Sequence, residues 1–153
     1  MIEKDVSKKY SIINGECQQV LSTYGENFFH SCITDPPYGI GMDQWDYNIP
    51  PLSIWKEVYR TLRPGAFCLA FCDPTLYHRL AINIEDAGFT IKDMIFWMTT
   101  TKMPKHNRLK PAHEPIVVAQ KPYEGSLKHN HEKWGCGLID SENTRIPWDK
   151  KPP

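Results

Sequence analysis

Apolar residues along the chain follow two patterns, short unbroken runs and stripes that recur every three to four residues. Unbroken runs predict β-strands, because a strand buried on both faces is apolar throughout. Stripes predict amphipathic helices. The runs cover residues 10–13, 28–33, 66–72, 89–98 and 115–120, and the stripes cover residues 16–24, a segment after Pro50-Pro51 and a segment after Asp73-Pro74. This alternation predicts an α/β fold with a mostly parallel sheet.

Local signals indicate where the predicted elements begin and end. Asp73-Pro74 predicts an N-cap followed by proline at the first helical position. Gly88 predicts the residue that ends the same helix. Residues 99–111 form a polar, basic loop, and residues 123–153 are polar and rich in Pro, Gly and Trp. We therefore expect an extended arm after Pro122, without a clear helix or strand.

The strand predicted over residues 28–33 is followed by Asp35-Pro36-Pro37-Tyr38. Two consecutive prolines have a fixed φ and no N–H, so the strand cannot continue and the loop after it is stiff. In open α/β sheets, ligands bind at the carboxyl ends of the strands. The tetrapeptide is therefore either a stiff turn or a site that presents a carboxylate and an aromatic ring.

This tetrapeptide resembles the catalytic motif of methyltransferases that act on amino groups, chiefly the DNA adenine-N6 and cytosine-N4 enzymes. Other segments resemble the same family in the same order. They are Ile13-Asn14-Gly15-Glu16-Cys17, WKEVYRTLRPGA from Trp55, the segment from Lys110 to Pro122, and Gly135-Cys136-Gly137 with Arg145-Ile146-Pro147. The resemblance spans residues 12–147, which favours a methyltransferase over a stiff turn.

The resemblance implies a partial Rossmann-like methyltransferase fold, S-adenosyl-L-methionine as cofactor and DNA as partner. It assigns catalysis to Asp35, Pro36, Pro37 and Tyr38, and cofactor binding to Gly15, Glu16 and Asp35, with Glu16 where the family has Asp. An exocyclic amino nitrogen is a poor nucleophile, since its lone pair is delocalised into the base. The Asp35 carboxylate and the Pro36 carbonyl would accept its two N–H groups, and Tyr38 would stack on the flipped-out base.

The glycine-rich segment Asp-Pro-Phe-x-Gly-x-Gly, with which the family contacts its cofactor, is not found in this sequence. We therefore expect methylation of adenine N6 or cytosine N4 to require a second polypeptide, self-association or a further C-terminal segment. On this interpretation residues 1–122 are the catalytic region, and residues 123–153 are an extended arm or the truncated start of a target-recognition region. The resemblance also implies a restriction–modification, phage or prophage context.

Two alternatives remain open. The first is a non-catalytic, methyltransferase-like protein that binds DNA or a partner protein, and it follows from the missing glycine-rich segment. The second is a methyltransferase for RNA or for glutamine side chains. Those enzymes often begin the motif with Asn, so Asp35 favours DNA.

The balance of 18 basic and 18 acidic residues hides a local asymmetry. Residues 26–57 contain five acids and one lysine, a net charge of −4, whereas residues 99–133 contain seven bases and three acids, a net charge of +4. The second stretch is either a surface for a phosphate backbone or a solvated loop. The candidate DNA-binding residues are Lys102, Lys105, Arg108, Lys110, His113 and Lys121.

Cysteine and histidine usage predicts neither disulfides nor a metal site. The five cysteines are an odd number and suggest no set of disulfide pairs, which fits reduced thiols in a cytoplasmic protein. Cys68 and Cys72 are predicted to be packing residues. The histidine spacings match no standard ligand set. The sequence shows no apolar signal region and no run of membrane-spanning length, so we expect a soluble protein. Trp45 is a candidate for base stacking, and Trp97 is expected in the core.

Overall fold

Strands and helices alternate along the chain as predicted. The computed structural model describes residues 10–101, 103 and 109–144, and its strands are β1 (Phe29–Thr34), β2 (Leu62–Phe71), β3 (Thr90–Met98) and β4 (His113–Gln120). The helices are α1 (Cys17–Ser22), α2 (Leu52–Thr61), α3 (Tyr77–Asp86), α4 (Leu127–Trp134) and α5 (Ser141–Thr144). The predicted α/β fold is confirmed.

The four strands form one sheet in the order β1-β2-β4-β3. β1 is parallel to β2, with Cys32 opposite Cys68, whereas β4 is antiparallel to both of its neighbours. Three strands therefore run in one direction, as the prediction of a mostly parallel sheet requires, but two of the three strand pairs are antiparallel. A strand that runs parallel to the one before it needs a crossover connection, usually a helix, whereas an antiparallel strand does not. The described part of the connection from β3 to β4 contains no helix, so β4 runs antiparallel to β3.

The core lies between the sheet and helices α2 and α3. α2 packs against β2, α3 packs against β3 and β4, and the two helices contact each other. Their predicted apolar faces are confirmed, and the buried side chains from these helices and the sheet are Trp55, Val58, Leu62, Cys68, Ala70, Leu80, Ile84, Val117 and Ala119. The prediction that Cys68 and Cys72 pack in the interior is also confirmed, since both are at most 1% exposed.

Three predictions from apolar runs are wrong. Residues 10–13 form no strand, and Ile12 is exposed. β1 is an edge strand in the described part of the chain, so it is half-exposed instead of buried, and Ile33 is 70% exposed. β3 is the opposite edge strand, and Trp97 is 59% exposed there instead of buried. A run of apolar residues predicts burial only if both faces and both edges of the strand are covered.

The expectation that no helix follows Pro122 is also wrong for the described residues. α4 begins after Ser126, whose hydroxyl accepts a hydrogen bond from the N–H of His129, and it packs against β2. Asn130 is completely buried and joins three backbone groups, the carbonyls of Pro64 and Cys136 and the N–H of Glu124. A polar side chain supplies this anchor, so an apolar pattern does not reveal it. Arg145-Ile146-Pro147 lies outside the described residues.

The helix predicted after Asp73-Pro74 begins three residues later than expected. Asp73 does not cap α3 directly. Its carboxylate accepts hydrogen bonds from the N–H and the hydroxyl of Thr75, which forms a turn ahead of the helix. Gly88 follows the end of the helix with a positive φ, as predicted.

Candidate active site at the carboxyl edge of the sheet

β1, β2 and β3 end, and β4 begins, on the same side of the sheet. We call this side, formed by the strand ends, the carboxyl edge, as distinct from the edge strands β1 and β3. Thr34, the last residue of β1, pairs with the penultimate residue of β2. Met98, the last residue of β3, pairs with His113, the first residue of β4. Asp35 follows Thr34 directly and therefore lies at the carboxyl edge, where α/β folds bind ligands.

Asp35 and Tyr38 are in contact at this edge. Asp35 is exposed, whereas Pro36, Pro37 and Tyr38 are half-buried. The Tyr38 hydroxyl lies near the Asp35 carboxylate. Burial, the interaction of the hydroxyl with this carboxylate and the charge of Asp35 raise the pKa of Tyr38 well above its usual value, so the phenol keeps its proton. An ionised carboxylate has about four acceptor positions, so Asp35 can accept further N–H groups beside this hydroxyl.

A cavity of about 910 Å³ extends from Asp35 toward α1. Asp35, Pro36 and Pro37 line it together with Gly15 and Glu16, and its apolar lining includes Val20, Leu21, Phe29, Ile33, Ile54 and Val58. The structure thus brings the three predicted cofactor residues into one cavity. Its volume is in the range of small-molecule sites.

Gly15 and Glu16 place a carboxylate at the rim of this cavity. Glu16 is the N-cap of α1, and its Oε2 accepts a hydrogen bond from the N–H of Gln19 at 2.9 Å. The N–H groups of Gln19 and Gln18 lower the pKa of Glu16, so the side chain is ionised near neutral pH. A Cβ on residue 15 would lie 2.9 Å from Cγ2 of Val20, so glycine allows this close turn into α1.

The described candidate DNA-binding residues lie at opposite ends of β4, at the carboxyl edge and at the edge opposite to it. Lys110 and His113 lie at the carboxyl edge, where Lys110 Nζ donates to the Thr100 carbonyl at 2.7 Å and the His113 ring packs against Phe96. Lys102, Lys105 and Arg108 lie outside the described residues.

Lys121 follows β4 at the opposite edge, away from Lys110 and His113. Its Nζ donates to Oδ1 of Asn27 and to the carbonyls of Tyr59 and Leu62, at 2.9, 2.9 and 2.7 Å. It also lies over the Tyr59 ring. The ammonium group therefore links the end of α2 to the segment before β1.

Sequence reasoning missed several residues that shape the site. Tyr47 and Asn48 line the cavity, and Asp46 beside them is only 2% exposed. The charge of Glu114 contributes to the raised pKa of Tyr38, which places it near the carboxyl edge. Glu114 could have been identified from the sequence, because it belongs to the segment from Lys110 to Pro122 that resembles the family. No periodicity or spacing marks Asp46, which lies in an irregular loop.

Two further observations concern binding. Among the described residues, no group of three or more His, Cys, Asp and Glu side chains is placed to hold a metal ion. No helix in this part of the chain has the length and apolar character needed to cross a bilayer. Trp45 is 66% exposed beside the cavity and is available to a ligand.

A family model described as DNA methylase matches residues 29–148, a range that contains Asp35-Pro36-Pro37-Tyr38 and all four strands. The chain belongs to the N6/N4 DNA methylase family. A curated relative is the type II methyltransferase M.HindIII of Haemophilus influenzae, which is 23% identical over 212 aligned positions that cover 90% of this chain and 67% of that protein.

Solved structures share the methylase fold. The PvuII DNA methyltransferase, which is cytosine-N4-specific, has a TM-score of 0.59 at 16% identity and covers 84% of this chain and 56% of its own. The complex of M1.HpyAVI with S-adenosylmethionine has a TM-score of 0.54 at 20% identity and covers 72% of this chain and 52% of its own. This methylase chain thus spans little more than half the length of both solved structures.

Proposed function

We propose that the chain carries the base-binding half of the active site of an S-adenosyl-L-methionine-dependent methyltransferase. The substrate is an exocyclic amino group in DNA, adenine N6 or cytosine N4. The observation that carries this proposal is the shared cavity, in which Asp35 meets Gly15 and Glu16. Membership of the N6/N4 DNA methylase family supports the reaction class.

The cavity fits the cofactor in charge and in character. Glu16 offers an ionised carboxylate that can accept hydrogen bonds from cofactor hydroxyl or ammonium groups, and apolar side chains line the interior. When bound, S-adenosyl-L-methionine supplies an electrophilic methyl group on a sulfonium. Gly15 and Glu16 would hold the cofactor, while Asp35 would lie between the cofactor and the target base.

The chain's own residues prepare the amino group for direct displacement. The Asp35 carboxylate and the Pro36 carbonyl accept its two N–H groups and draw the nitrogen toward a tetrahedral geometry, in which its lone pair is available. The methyl group would pass to this nitrogen as the carbon–sulfur bond of the cofactor breaks. Asp35 would then take the surplus amino proton or pass it to water. Tyr38 stacks on the flipped-out base.

We further infer that another segment of polypeptide, from a second chain, a second copy or elsewhere in the same protein, completes the cofactor cavity. Among the described residues β1 pairs only with β2, so its outer edge is open, and this edge borders the cavity. A second copy would make the methylation rate rise with the square of the chain concentration. A linear dependence with a purified chain that sediments as a monomer at the same concentrations would contradict completion by a second copy.

The DNA contacts proposed at the carboxyl edge are Lys110 and His113. Lys102, Lys105, Arg108 and Lys121 stay in the proposal as basic residues of the same stretch of sequence. These residues would bind phosphates beside the flipped base. Five free cysteines support a cytoplasmic site of action. The likeness to M.HindIII, a type II methyltransferase, supports a restriction–modification context, and a phage or prophage origin belongs to the same proposal.

The test is methyl transfer from labelled S-adenosyl-L-methionine to DNA, with chromatographic identification of the methylated base. With the segment that completes the cofactor cavity present, wild type should give N6-methyladenine or N4-methylcytosine, and Asp35→Ala should give neither. Asp43→Asn is the control, because Asp43 is an exposed acid in the following loop. Methylation that persists in Asp35→Ala, or that is lost equally in Asp43→Asn, would overturn the assignment of Asp35.

A further inference from the structure

Asp46 is a buried acid in the loop that follows the catalytic tetrapeptide. It is 2% exposed although it lies in neither a helix nor a strand. Burial of a carboxylate is costly unless its oxygens are hydrogen-bonded. In the described part of the chain, Asp46 forms no salt bridge. The groups that compensate for its burial are therefore backbone N–H donors.

These donors come from the segment immediately after Tyr38. Oδ1 accepts from the N–H of Gly39 at 2.7 Å, and Oδ2 accepts from the N–H groups of Ile40 and Met42 at 3.3 and 3.1 Å. The Asp46 carbonyl also accepts from the N–H of Gly41 at 3.0 Å. One residue thus satisfies four backbone donors of residues 39–42, which no secondary structure would otherwise pair.

The same loop closes tightly on itself at Gly39. Gly39 has a φ of +72°, and a Cβ there would lie 2.8 Å from the backbone N of Ile49. Residues 48–49 therefore pack directly against the backbone next to Tyr38. The two prolines restrict the chain before Tyr38, and the Asp46 hydrogen bonds restrict it after Tyr38.

The electrostatics are consistent with a structural anion. Burial opposes ionisation of Asp46, but the N–H groups of Met42, Gly39, Tyr38 and Ile40 outweigh it and lower the pKa of the carboxyl below its usual value. Asp46 is therefore ionised at neutral pH and is poorly suited to proton transfer. Its role is to hold the loop.

We propose that Asp46 is a positioning residue for methyl transfer, which holds the segment from Tyr38 to Met42 so that Tyr38 and Asp35 present one fixed geometry to the target base. This inference rests on the proposed function. A displacement of reacting groups by about 1 Å can reduce a rate by about 100-fold. DNA affinity is dominated by phosphate contacts, so it should depend little on this loop.

The kinetic test compares Asp46→Asn and Asp46→Ala with the control Asp43→Asn. Asp43 belongs to the same loop and is exposed, so its substitution makes the same change in charge without loss of the buried contacts. We expect kcat to fall about 10-fold or more in Asp46→Asn and further in Asp46→Ala, with KM for DNA changed less than about three-fold. A kcat for Asp46→Asn equal to that of Asp43→Asn, or one that falls only with the folded fraction, would overturn the proposal.

A second readout does not require activity. Amide hydrogen exchange by NMR should show faster exchange at Gly39, Ile40 and Met42 in Asp46→Asn, with the amides of β2 and β4 unchanged. Gly39→Ala should reproduce both the exchange and the kinetic effects by straining the same loop. If wild type transfers no methyl group even when the segment that completes the cofactor cavity is present, the proposed function fails. Unchanged exchange at the three amides would separately overturn the role of Asp46.

Discussion

Substitution of Lys121 by methionine separates a structural role from a role in DNA binding. Lys121→Met keeps the long apolar stem and removes the three hydrogen bonds of the ammonium to Asn27, Tyr59 and Leu62. A hydrogen bond to a charged group contributes about 1.5–3 kcal/mol. Because Lys121 keeps some contact with water, the three bonds will not add fully. We expect the free energy of unfolding to fall by about 2–4 kcal/mol.

The matched control is Lys110→Met, because Lys110 is an exposed lysine at the carboxyl edge. It should change the free energy of unfolding by less than about 0.5 kcal/mol. It should weaken DNA binding and reduce the salt slope by about 1, since one phosphate contact is lost. Urea unfolding gives the stabilities, and fluorescence anisotropy with a labelled duplex gives the affinities, corrected for the folded fraction.

Two results would refute this reasoning. The first is a Lys121→Met protein whose stability equals that of wild type, which would mean that the three hydrogen bonds contribute nothing. The second is a loss of DNA affinity in Lys121→Met larger than that in Lys110→Met. That result would support Lys121 as a DNA contact despite its position at the opposite edge.

Three further predictions follow from individual contacts. Tyr38→Phe keeps the stacking ring and should retain the rate of methyl transfer within about three-fold. Tyr38→Ala should lose about 1–3 kcal/mol of base stacking, measured as a higher KM for DNA, and equal effects of the two variants would argue against stacking. Asn130→Ala removes the partner of three backbone groups, two of them in buried hydrogen bonds, and should lower the free energy of unfolding by about 2–4 kcal/mol in urea titrations. Asn143→Ala in exposed α5 should change it little, and similar values for the two variants would contradict the anchoring role. The folded-state pKa of Asp46 lies below the ordinary value of 3.8, so its contribution to stability is present above that pH and is lost as the pH falls through the folded-state pKa. In urea unfolding, the free energy of unfolding should therefore fall more steeply with decreasing pH in wild type than in Asp46→Asn, and parallel curves would contradict this.

The position of the candidate site could be predicted from the sequence because it depends on local chemistry. Consecutive prolines end β1 wherever they occur, so Asp35 had to lie at a strand end. Gly15 and Glu16 were identified in a different way, through the resemblance to the family, which implies their contact with the cofactor. The apolar stripes of α2 and α3 identified the core because both helices pack on one sheet face.

The remaining features depend on neighbours that are distant in sequence. Trp97 belongs to an apolar run, yet it is exposed because β3 is an edge strand. Lys121 belongs to a basic stretch, yet its partners lie 59 to 94 residues earlier in the chain. Asp46 is an acid in an irregular polar loop, where the sequence alone predicts an exposed side chain. Only the folded loop turns four backbone N–H groups toward it. No periodicity in the sequence encodes such contacts.

The central claim is that Gly15, Glu16 and Asp35 form a cofactor site, and the most direct measurement is NMR titration of the labelled chain with S-adenosyl-L-methionine. Saturable shifts of the amide signals of these three residues, weakened in Glu16→Ala, are the predicted result. The same titration with duplex DNA present should strengthen binding if the target base completes the site. The absence of any shift at these amides at millimolar cofactor, with and without DNA, would contradict the account.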